Sequence, residues 1–397
     1  MIKYRYSLLS FLILSPLTMA EIYNSRNAGM GGAGVASSQF DTAAHSNPAL
    51  LASPNLDKGV AIIFPAVGAE ASDKDEVIDT IDDLEDKFDE FEIVTEAATF
   101  DAVRATALQA EIIADLNSID EKLLTAQASA ILSVAVPHER FSWALDHRAR
   151  GEFSAQLDFD PTDEDVLNTA IAMQDAGELD NINSSANITA AIISETVFSL
   201  ATQFTLGGQP FSVGLSPKFT RVETYFYSQN ANDVDSDDFD SDQYVDSETG
   251  VNADLGFAYY PTDSITVGLM FRDLVSNEYD TVTANAQSDT YEVGLSSTAG
   301  IAYQKSFFSI ALDADLTARK GFKSMPESKF VRAGIELDAL GWVQLRAGTR
   351  IDTNDAREDV ASAGVNLALF KTVNLGVSGW AGGNDTAGAA VDLKIVF

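Results

Sequence analysis

The chain has 397 residues, 60 Asp and Glu against 25 Lys and Arg, three histidines and no cysteine, for a formal charge of −35. So few cations argue against nucleic acid as a partner, because phosphates would go unneutralised. The missing thiols exclude disulfides, thiolate metal sites and cysteine nucleophiles, and no cofactor is expected.

At the start, Lys3 and Arg5 precede an apolar run over residues 8–17, and Thr18 and Ala20 supply small side chains before Glu21. This reads as a secretory signal over residues 1–20, cleaved before Glu21. A membrane-spanning anchor is the weaker reading, because a spanning helix needs roughly 20 apolar residues. Loss of Lys3 and Arg5 takes the charge from −35 to −37. Residues 27–52 are rich in Gly, Ala and Ser and too small to build a core of their own, and residues 58–68 read as a first strand.

The period then changes. Val77, Ile78, Ile81, Leu84, Phe88 and Phe91 recur at helical spacing in an acidic segment, and Leu108, Ile112, Leu116, Ile119 and Leu123 repeat it. Two amphipathic helices forming a hairpin are expected, neither apolar enough to cross a membrane. Packing of one helix on the other is the simple account of their apolar faces, and Phe88 and Phe91 are the first candidates for substrate or cap contacts.

From Ser129 onward the pattern alternates with period two, through segments that include 192–206, 211–219, 251–259, 265–271, 291–303, 308–316, 331–337, 343–349, 361–369, 373–379 and 387–397. Counting the first segment gives about fourteen strands. Long connections, among them 70–127, 160–185, 229–246 and 278–288, interleave with tight turns near Pro137, Gly208, Thr262, Lys305, Gly341 and Lys371, as in bacterial outer-membrane barrels. The faces differ in cost. Val391, Leu393, Ile395 and Phe397 share one phase of the last strand while Asp392 and Lys394 share the other, and Arg332, Glu336 and Arg346 likewise oppose apolar neighbours. A charge facing mid-bilayer lipid costs roughly 2–4 kcal/mol, so the charged phase belongs to the lumen. A soluble β-sandwich would show similar alternation; the leader, the terminal strand and the loop asymmetry favour the barrel. The expected fold is therefore an all-β transmembrane antiparallel barrel with outer-membrane lipid as its surroundings.

The segment Arg26-Asn27-Ala28-Gly29-Met30-Gly31-Gly32-Ala33-Gly34, followed by Asp41 to Ala44 and then Asn47-Pro48-Ala49-Leu50, resembles the amino terminus of the FadL-type outer-membrane barrels. Within that clan the acidic helical insertion and the overall length look most like the conjugal transfer TraF-like group. The resemblance implies fourteen strands and an amino-terminal lumenal hatch, and uptake of hydrophobic molecules. Gly29, Gly31 and Gly34 match the glycine-rich lead of the hatch, and Asn47, Pro48 and Ala49 match its motif. The implied organisation is a hatch over 21–57 and a barrel over 58–397, with a helical extracellular insertion at 73–127.

Other motifs have plainer readings. Gly29-x-Gly31-x-x-Gly34 fits the dinucleotide fingerprint, but no apolar strand precedes it. The carboxylates Asp233, Asp235, Asp237, Asp238, Asp240 and Asp242 lack the glycine and glutamate of a calcium loop and read as solvated. His45, His138 and His147 share no local motif with a serine or acid, and are read as structural. Tyr225, Tyr227, Tyr259, Tyr260 and Trp380 are expected in interfacial girdles. The leading function is passive uptake of a small hydrophobic molecule along an apolar path from helices to hatch, without catalysis. The alternative is a docking component of a conjugation or surface apparatus, and a barrel hydrolase comes third.

Overall fold

The computed structural model describes residues 22–54, 59–230, 242–370 and 372–397; the expected leader and residues 233–240 of the acidic run lie outside the described residues. Fourteen antiparallel strands close into one barrel. They are β1 (Ala61–Ser72), β2 (Leu123–Val136), β3 (Ser142–Asp158), β4 (Ser185–Leu206), β5 (Gln209–Asn230), β6 (Val245–Thr262), β7 (Ile265–Arg272), then β10 (Ser296–Lys305), β11 (Phe308–Asp315), β12 (Phe330–Asp338), β13 (Val343–Asp352), β14 (Val360–Leu369), β15 (Val373–Gly382) and β16 (Ala387–Val396). Each pairs with its neighbour in the chain, and β16 closes on β1 with Ala71 opposite Ala387 and Ala61 opposite Val396. Closure leaves no strand edge unpaired, which is what a chain without cross-links needs in an apolar medium. Pro65 cannot donate to a ladder, and the register of β1 against both neighbours skips from Ile63 to Ala66 there.

The strands between β7 and β10 correct the sequence reading. Residues 291–303 do not form one barrel strand: β8 (Asn277–Asp280) and β9 (Thr290–Val293) make a separate two-stranded sheet, and the barrel resumes at Ser296. Tyr279, Tyr291 and Val293 of this hairpin pack with Phe322 and Met325 against Ala191, Ile193 and Val222 of β4 and β5. The apolar residues that imitate a strand therefore serve to fold a loop onto the inner wall.

One barrel end carries tight turns, such as the Gly207–Gly208 connection whose two positive φ angles, 62° and 82°, suit a two-residue hairpin. The other end carries the longer connections, which hold α3 (Val77–Thr95), α4 (Ala102–Ile119) and α5 (Asp163–Met173). Asp73 accepts from the Val77 and Ile78 amides at 2.8 Å and starts α3; Asp101 caps α4 by accepting from Val103 and Arg104 at 3.1 Å. The three helices share an apolar core built around Leu84, Phe91, Leu108, Ile112 and Leu167.

The outer wall is apolar. Leu200, Leu215, Leu345, Val391 and Leu393 are exposed on it, while Asp392 and Lys394 of the last strand are buried inside.

Candidate functional site

The lumen is filled by residues 22–54, which form α1 (Ser25–Gly29), α2 (Phe40–Ser46) and a 3-10 turn over Pro48–Ala52. Small residues make this possible. At Gly31, φ is 68° and an added Cβ would fall on the Thr349 backbone, so only glycine fits both the conformation and the approach. The wall is stripped to match: Gly214, Gly256 and Gly268 face Pro48, Asn47 and Val35, Gly334 and Gly348 face Met30, and Gly376 faces Ser25.

Polar contacts then fix the segment. The Ser25 amide donates to Asp392 at 2.7 Å, the Gly31 amide to Ser362 at 2.9 Å, and the Gly34 and Val35 amides share Asp313 at 2.7 and 2.8 Å. Arg26 forms a bidentate pair with Glu336 at 3.0 and 3.1 Å, which Arg346 joins at 2.7 Å. Lys394 reaches Asp41 at 3.1 Å. Asn47 donates to the carbonyls of Val35 at 2.9 Å and Phe257 at 3.0 Å while its own carbonyl accepts from Ala49, so Asn47, Pro48 and Ala49 form a self-capped turn tied to β6. Gly29 lies against Arg346 and Gly364.

His45 is brought beside Asp146 of β3, Nε2 to Oδ1 at 3.4 Å, and Ser133 donates to the same carboxylate at 2.5 Å. Sequence spacing gave no hint of this, since the partners are a hundred residues apart. The serine meets the acid and not the histidine, so the trio ties α2 to the wall without forming a nucleophile–base pair. His147 faces Thr196 on the exposed side, and His138 sits in the β2–β3 turn.

Three aromatics also depart from the expected girdle. Tyr227, Tyr260 and Trp380 are buried, at 1%, 5% and 6% exposure. Trp380 stacks on Tyr23 at 4.9 Å and donates its indole N–H to Glu70 at 2.6 Å; Tyr260 also packs with the lumenal segment, in one cluster with Phe40 and Leu50, whereas Tyr227 packs with Phe153, Ile188 and Tyr244. Tyr259 keeps to the other phase, stacked on Phe211 at 4.6 Å, and Tyr225 is half-buried beside Tyr227. Phe91 is fully enclosed by the helical core, and Phe88 packs partly buried at its edge. Val391, Leu393, Ile395 and Phe397 share the outward phase of the closing strand and its end.

Among the described residues, two cavities lie in the lumen. The larger, about 90 Å³, lies between Ile22 and the loops that carry Tyr291 and Phe322; the smaller, about 60 Å³, lies along Ala28, Gly31 and Val35. Arg272, Arg319 and Arg350 line both. Arg319, Arg332 and Arg350 surround the Phe330 ring with guanidinium carbons 5.3, 4.8 and 5.1 Å from its centroid. The walls of these two cavities combine arginine, carboxylate and aromatic groups and are not apolar throughout.

A closed fourteen-stranded barrel plugged by its own amino terminus is a barrel of the FadL type. Solved structures with the same fold include the toluene transporter TodX of Pseudomonas putida, at 11% identity over 96% of this chain and 99% of that one with a TM-score of 0.52. The monoaromatic hydrocarbon channel CymD matches at 12% identity over 96% and 98% with a TM-score of 0.51. Comparison with the curated proteins finds no match. The chain belongs to the family described as "F plasmid transfer operon, TraF, protein", whose model matches residues 44–315.

Proposed function

We propose that this protein is an outer-membrane channel through which a small solute passes passively when the lumenal segment, acting as a hatch, shifts. The observation that carries the reading is a barrel with an apolar outer wall whose lumen is closed by a non-covalently held segment flanked by cavities. The names of the solved neighbours, a toluene transporter and a hydrocarbon channel, support small-solute passage. The charged cavity walls argue for a solute with polar groups over a purely apolar one. In this reading residues 1–20 are the export signal, 21–57 the hatch and 58–397 the barrel, with the helices at 73–127 outside the cell at the loop end. Gly29, Gly31, Gly34 and Asn47 to Ala49 seat the hatch.

The test is to delete residues 22–52 and record conductance in planar bilayers. The deletion should raise single-channel conductance well above that of the intact protein. An unchanged conductance, in a barrel shown to be folded by heat-modifiable gel migration, would overturn the proposal. A docking role has its own observation in the helical cap, whose separate apolar core supports an acidic outer face on α3; removing residues 73–127 would then cost a co-purifying partner while leaving permeability intact.

A further inference from the structure

The larger cavity contains a charge arrangement at odds with the rest of the chain. In a protein of net charge −35, each carboxylate lining this cavity is already engaged by a close cation. Glu70 accepts from Arg350 at 2.6 Å, Glu152 pairs with Arg357, Glu292 with Lys320 at 2.7 Å, and Asp273 with Lys218 at 2.6 Å. Two lining arginines have few direct hydrogen bonds to protein. Arg150, on β3, comes no closer than 3.6 Å to Asp273 and 3.9 Å to Glu195, beyond hydrogen-bond distance, and its Nε is buried without an acceptor among the described residues. Arg272, at the end of β7, donates to the carbonyl of His45 at 2.8 Å and has no carboxylate within 4.0 Å among the described residues.

A guanidinium carries five N–H donors and stays charged at any physiological pH, so two part-buried guanidiniums with one hydrogen bond between them leave most of their donors open to an acceptor from elsewhere. Water can supply part of this, but a planar donor fork matches an oxyanion by two parallel bonds at once. We infer that the larger lumenal cavity is a binding site for a small hydrophilic oxyanion, a phosphate or short carboxylate, held between Arg150 and Arg272. Its size of about 90 Å³ admits a group of that scale. The site names the solute class of the proposed channel, and rests on that reading only for the step from binding to passage.

The position of Arg272 adds a coupling. The same side chain lines both cavities and holds α2 through the His45 carbonyl. An oxyanion that draws Arg272 toward the larger cavity competes with that carbonyl, so the bound anion loosens the hatch at α2.

The experiment is isothermal titration of inorganic phosphate, acetate and neutral glycerol into the purified full chain in detergent at low ionic strength, paired with hydrogen exchange of residues 40–46. Phosphate or acetate should bind and glycerol should not, with the stronger of the two anions fixing which oxyanion the site prefers. Arg150→Gln and Arg272→Gln should each weaken binding at least ten-fold, Arg272→Lys less. Anion should speed exchange at 40–46 in the native chain and leave it unaltered in Arg272→Gln. Anion binding that survives both glutamine variants, or no anion binding to the native chain at millimolar concentration, overturns the inference. Failure of the site is separable from failure of the channel: conductance of the hatch deletion tests passage alone, and titration tests the site alone.

Discussion

The amino-terminal segment and the helical cap sit on the same barrel and are held by opposite means. The segment at 22–54 has few large side chains and is fixed by buried charge and amide contacts to parts of the chain far away in sequence, such as Glu336, Asp313 and Lys394. The cap is fixed by large apolar side chains from neighbouring helices, and its ion pairs, Arg104 with Glu90 and with Glu111, lie in solvent. Polar anchoring is strong only while every partner is in place, since an orphaned buried charge is expensive. Apolar packing degrades with the volume removed. If the segment shifts as proposed, it is better served by the first, because its contacts can be exchanged for water one at a time.

Mutation should separate the two regimes. The largest effect is expected in the cap, where Phe91→Ala empties a fully buried site at a cost of about 3–5 kcal/mol. Hydrogen exchange should show α3 and α4 opening while the barrel strands keep their protection; loss of strand protection as well would mean that the cap is not a separate unit. In the lumen, Arg26→Ala removes one cation from Glu336 but leaves Arg346 beside it, so the cost should fall below the roughly 3–5 kcal/mol of a fully broken buried pair. Protease access to residues 22–54 would report it, and an effect equal to that of Phe91→Ala would erase the proposed distinction.

The smallest effect concerns acid. The Arg104 guanidinium hydrogen-bonded to Glu90 holds that carboxyl below its ordinary range. A depressed folded value stabilises above the ordinary carboxylate range and is lost as pH falls through the depressed value. Because the pair lies at the surface, water screens it. Helicity of the cap measured by circular dichroism should therefore change little on acidification, and Arg104→Ala should abolish what change there is.

Much of the barrel was legible because two solvents impose a period of two: the phases of β12 and β16 follow from the cost of a charge in lipid. The β8–β9 hairpin escaped this logic, since Tyr291 and Val293 alternate like a strand of the wall while packing on Phe322 inside the mouth. Trp380 was misjudged for a related reason. Nothing local distinguishes an aromatic that meets a headgroup from one that meets Tyr23. The resemblance picked out Gly29 to Ala49, yet their partners lie hundreds of residues away, where no spacing rule reaches. One signal did lie in the sequence unread: glycine recurs in the inward phase of strand after strand, at 214, 256, 268, 334, 348 and 376.

That recurrence bears on what sets the aperture. Where the wall is bare backbone, the tube is at its roomiest, and it supplies little of its own to a constriction. Under the proposed channel role, selectivity at that level is a property of the stopper's edge: a sheath with bulkier inward residues would filter by its own bore, whereas here swapping the stopper alone should change what gets through.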